Sequence, residues 1–148
     1  MDINEDFFIT EAIDEVRLFK AFINLCMSLK PTITIWGDIA GPVLNQVSPY
    51  EITNKLTKRT RKFLFKERNY EVTPDNADIF LNLSEDINFK EISWGVEKDN
   101  VPIVFARASD DINISSSEFI SRYDLRNLLE ELKADRIIND FEVIKDKE

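Results

Sequence analysis

Residues 55–68, KLTKRTRKFLFKER, hold seven basic side chains and one acidic one in a chain whose formal net charge is −9. This stretch carries +6, the residues before it −5 and the residues after it −10. Cations at that density suit phosphate or a carboxylate-rich surface, and a local field of this kind decides which surface a partner meets. The opposite chemistry sits in short acidic groups: Glu85 and Asp86, Asp99, and Asp110 with Asp111. Such carboxylates speed encounter with a cationic protein and can occupy a site built for phosphate. Trp36 and Trp94, each beside a glycine, are the anchor candidates, because tryptophan is over-represented among the residues that dominate binding energy.

Other chemistries are excluded or unsupported. The chain has no histidine and one cysteine, Cys26. A Ser–His–Asp triad, a Cys–His pair, a histidine-ligated metal and a thiolate zinc site are therefore all out of reach. Neither G-x-G-x-x-G nor G-x-x-x-x-G-K-[ST] occurs, so the phosphate-cradling loops are missing as well. Adjacent carboxylates diverge, and no D-x-D-x-D-G loop gathers them, so no metal site is expected. No catalytic residues and no cofactor are predicted. Tyr50, Tyr70 and Tyr123 read as packing residues.

The elements that must position these groups follow from periodicity and capping. A helix is predicted over 10–29, with Thr10 as N-cap, Ile9, Ile13, Val16, Phe19, Ile23 and Cys26 on its apolar face, and Pro31 as its stop. TITIW at 32–36 alternates as a strand, and the stretch from Gly37 to Gln46 reads as a turn-rich connection. Ser48-Pro49-Tyr50-Glu51 forms a capping-box pattern, which predicts a helix running to about residue 66. At about 100° per residue, that helix gathers Lys55, Lys58, Arg59, Lys62 and Lys66 into a basic ridge beside an apolar stripe of Ile52, Leu56 and Phe63. Ile79, Leu81 and Leu83 alternate as a strand. Residues 89–96 and 101–108 then flank a Lys98-Asp99-Asn100 loop as a hairpin, with Pro102 either on an edge strand or at a strand start. Ser109-Asp110-Asp111 reads as a polar turn. Leu125, Leu128, Leu129 and Leu132 mark a helix over about 122–135, and 137–144 a last strand.

Grouped rather than alternating elements predict an α+β fold: an N-terminal helix, the central basic amphipathic helix, and an antiparallel sheet of about four strands with a C-terminal helix packed on it. One domain over 1–148 is expected, with a frayed tail at about 145–148. The single cysteine and the acidic N-terminus suit the cytoplasm, and no apolar run reaches the ~18–20 residues that span a bilayer.

These features predict a small, acidic, non-enzymatic binding protein of the immunity or antitoxin kind, which neutralises a basic protein such as a nuclease toxin. It would act as a monomer or homodimer and would not engage membrane. The alternatives are a nucleic-acid-associated regulator that uses 55–66 as a dimer, and an enzyme built on carboxylates without histidine.

Overall fold

The computed structural model describes residues 4–37, 39, 41–52, 67–107 and 110–144. The first strand, β1 (Asp6–Glu11), buries Phe7 and Ile9 and exposes Asp6 and Thr10. Here the expected helix start is corrected. Ile9 suits a strand period of two as well as a helical period, and the aromatic, β-branched run DFFIT favours the strand. The helix α1 (Glu15–Cys26) begins one turn later, where the Asp14 carboxylate accepts from the Arg17 N–H at 3.1 Å. Ile13 therefore lies outside the helix and is 58% exposed. Leu18, Phe19, Phe22, Ile23 and Cys26 form the buried stripe. Burial pushes the Cys26 thiol up to about 12, so it is a packing group rather than a nucleophile. A short 3-10 turn, Met27–Leu29, then ends at Lys30, whose φ of 52° reverses the chain before Pro31.

Strand β2 (Thr32–Trp36) forms as expected. A helix, α2 (Gly41–Val47), replaces the predicted turn-rich connection and buries Val43 and Val47. Ser48 does not cap a new helix. Its hydroxyl donates to the Asn45 carbonyl at 3.4 Å, and Ser48–Tyr50 is a 3-10 turn leading into β3 (Glu51–Ile52). The rest of the predicted basic helix, including Lys55, Lys58, Arg59, Lys62 and Lys66, lies outside the described residues.

The chain resumes in β4 (Glu67–Glu71) and then α3 (Ala77–Leu83). The expected strand at 79–83 is thus a helix. Ala77, Phe80 and Leu83 share its buried face. Its start is fixed by Asn76, whose amide donates to the Glu71 carbonyl at 2.9 Å and whose side-chain oxygen accepts from the Thr73 N–H at 2.8 Å. Strands β5 (Ser93–Lys98) and β6 (Val101–Arg107) form the predicted hairpin. Asp99 and Asn100, at φ 49° and 66°, supply the two left-handed residues that a tight two-residue hairpin turn requires. Pro102 sits near the start of β6, at a register shift, and not on an edge strand.

The predicted polar turn at 109–111 opens instead into β7 (Asp110–Ser115), which buries Ile112 and Ile114. Helix α4 (Arg122–Ala134) is capped by the Ser121 hydroxyl, which accepts from the Asp124 N–H. It ends at Arg136 (φ 58°), with the Ile137 N–H donating to the Leu132 carbonyl and the Arg136 N–H to that of Lys133. Strand β8 is only Glu142–Ile144, shorter than expected, with an isolated bridge from Ile138 to Ala12.

The fold is α+β, as predicted, but among the described residues the sheet has eight antiparallel strands rather than about four, in the order β3-β4-β2-β5-β6-β7-β1-β8. Cross-strand register places Tyr70, Ile33, Val96, Val104, Ile114 and Phe7 side by side, and all are at most 2% exposed. The apolar stripes of the helices join this face in one core. Phe19 of α1 packs edge-on against Trp94 at 5.0 Å, and Phe80 of α3 meets Tyr70 at 5.9 Å. No described helix is long and apolar enough to cross a membrane.

Candidate functional site

Side chains alternate across a strand, so the same register defines the sheet's second face. One row crosses all eight strands: Ile52, Asn69, Thr34, Gly95, Phe105, Asn113, Phe8 and Glu142. Its centre is an aromatic platform. Trp36 at the end of β2 and Phe105 of β6 meet edge-to-face, with ring centroids 5.1 Å apart and planes at 67°. They meet over Gly95. A Cβ there would lie 3.5 Å from Trp36 Cζ3, 3.6 Å from Phe105 Cδ2 and 3.2 Å from the Val104 carbonyl oxygen. The glycine thus provides the space in which the two rings converge. Trp36, Phe105 and Phe8 are half-buried, so each presents apolar surface to solvent. Beside the platform, the Thr34 hydroxyl donates to the Asn69 side-chain oxygen, and both residues are buried.

The charge on this face is mostly acidic. Register places Asp6, Glu71, Glu97 and Glu142 on it, against Arg107 as the cation among its described strand residues. Asp6, Glu71 and Glu97 lie toward one end of the face, the end of Thr32, and Arg107 at the other, level with Trp36 across Ser93. Half-buried aromatic groups flanked by charged residues have the composition of a protein-binding patch.

The predicted site residues divide. Trp36 stands on this face. Trp94 does not: it is 0% exposed and packs against Phe19 and Phe89, which makes it a core residue rather than a surface anchor. Asp111 is exposed at a register shift in β7, held at φ 50°. Asp110 is the first residue of that strand, paired in register with Arg107 and Glu11. Asp99 is at the other end of the β5–β6 hairpin, 3.8 Å from Lys98. Glu85 and Asp86 lie in a 3-10 turn after α3, on the helical layer, where Glu85 pairs with Lys20 of α1 at 3.0 Å. The acidic candidates therefore do not form one patch. Asp6, Glu71, Glu97, Glu142, Phe105 and Phe8 were not predicted as site residues. The signal that could have found them is alternation within strands, which needs the sheet order before it groups them.

A concavity of about 440 Å³ lies at the β3 end between Pro49–Ile52, Glu71, Thr73, Asp75 and Asn76. Among its carboxylates, Glu51 stands 3.8 Å from Arg68. Among the described residues, no group of three or more Cys, Asp or Glu is placed to hold a metal ion. No family model, curated protein or solved structure matches the chain.

Proposed function

We propose that the chain is a small acidic binding protein of the immunity or antitoxin type, without enzymatic activity, which neutralises a basic protein such as a nuclease. The supporting observation is the second face of the sheet, where the Trp36–Phe105 platform shares one surface with the carboxylates of Asp6, Glu71, Glu97 and Glu142. A nuclease binds its substrate through cations that neutralise phosphates. Carboxylates on a sheet face engage the same cations, and a half-buried tryptophan adds apolar contact. The net charge of −9 favours approach of such a partner over nucleic acid.

The test begins with capture from the native cell at low salt, followed by binding of each purified basic protein to wild type and to Trp36→Ala. Truncation of the ring should weaken a true partner by about 10-fold or more, the range of an interface anchor. Capture of no basic protein by folded material would remove the reading. So would a partner that binds Trp36→Ala as tightly as wild type.

A further inference from the structure

We infer that the outer edge of β8 is a strand-addition site for an extended cationic segment of the basic partner; this rests on the reading above and specifies how that partner docks. Strand β8 is the last in the sheet, joined to β1 through Asp6↔Ile144, Phe7↔Val143 and Phe8↔Glu142. Among the described residues no strand pairs with its other side. An edge strand presents a row of backbone N–H and C=O groups that another strand can complete. Here the edge also carries apolar surface: Val143 is 39% exposed and Ile144 40%.

Register sets the chemistry of the strand that fits. Val143 lies on the helix-covered side, level with Phe7, so the residue added opposite it should be apolar. Glu142 and Ile144 lie on the second face, level with Phe8 and Asp6. A residue added opposite Glu142 therefore meets a carboxylate, with the Asp6 carboxylate on the same face one strand further in. Opposite charges directly across strands stabilise pairing, and like charges oppose it. The fitting segment alternates Lys or Arg with an apolar residue. Glu142 is one of the carboxylates of the face already described, so one basic partner would cover the face and complete the edge together. Backbone bonds would supply affinity, and the alternating side chains selectivity.

The probe is a blocked peptide of about seven residues alternating Lys and Val, with a Glu–Val peptide of equal length as control. The Lys–Val peptide should slow exchange of those backbone amides in Glu142–Ile144 that β1 does not hold, and the Glu–Val peptide should not. Asp6→Lys combined with Glu142→Lys, both at exposed positions, should weaken the Lys–Val peptide about 10-fold or more. Suppose the peptide changes an emission that Trp36→Phe abolishes, yet leaves exchange at 142–144 untouched. Strand addition is then wrong and the face reading survives. Failure of the peptide and of every basic protein to bind would overturn both. A dimer of the protein alone with these amides already protected would assign the edge to a second copy and overturn the inference.

Discussion

Gly95 controls the shape of the platform, because its missing side chain is the space that Trp36 and Phe105 share. The Val104 carbonyl oxygen, 3.2 Å from the point where a Cβ would sit, belongs to the paired strand and yields little. Gly95→Val adds two methyl groups beyond that Cβ and must drive the rings apart. Overpacking of this kind costs about 1–3 kcal/mol, which urea denaturation would read as a lower midpoint at unchanged slope. Emission from Trp36 should shift with it. An unchanged midpoint would mean that the rings do not depend on the glycine.

At the scale of elements, β1 is fastened at its start by side chains from α4. Arg126 donates to both Glu5 carboxylate oxygens at 2.8 Å, and Arg122 stands 3.7 Å away. The hydrogen bonds from Arg126 are the main reason that the Glu5 carboxyl is held below its usual 4.5, with the charges of Arg126 and Arg122 adding to the effect. A depressed carboxyl stabilises the fold above its unfolded value, and that contribution is lost as pH falls through the folded value. In Arg126→Ala, carboxyl NMR should show the Glu5 midpoint rising toward 4.5, while wild type titrates lower; equal midpoints would show that the clamp is absent in solution. The same elements show what the sequence could reveal. The β5–β6 hairpin and α4 were readable, because Asp99-Asn100 and Ser121 carry local turn and cap chemistry. Strands β1 and β7 were not. Ile9 fits both strand and helix periods, and Ile112 and Ile114 acquire meaning only beside Ala106 and Val104 on one side and Ile9 and Phe7 on the other. Strand β2, with Trp36 at its end, was legible from its own alternation, but the ring's partner Phe105 was not, because a cross-strand contact is a property of sheet order.

Across the whole molecule, charge and topology act together. With −9 overall, approach of a cationic partner is steered by the summed field, so its association rate should fall about 10-fold or more between ~20 mM and ~300 mM salt, measured by stopped flow. A rate indifferent to salt would show that apolar contact alone governs encounter. The strand order carries a different consequence. Strand β1 lies between β7 and β8, so the first strand of the chain has both neighbours at the far end of the sequence. The N–H of Glu5, the residue just before it, reaches Ser116 Oγ across 111 residues. During synthesis, Phe7 and Ile9 therefore leave the ribosome long before Ile112 and Ile114 exist to cover them. Closure over that distance makes for slow folding, with an aromatic strand exposed in the interval. This interval, more than the finished fold, is where the chain would need a chaperone.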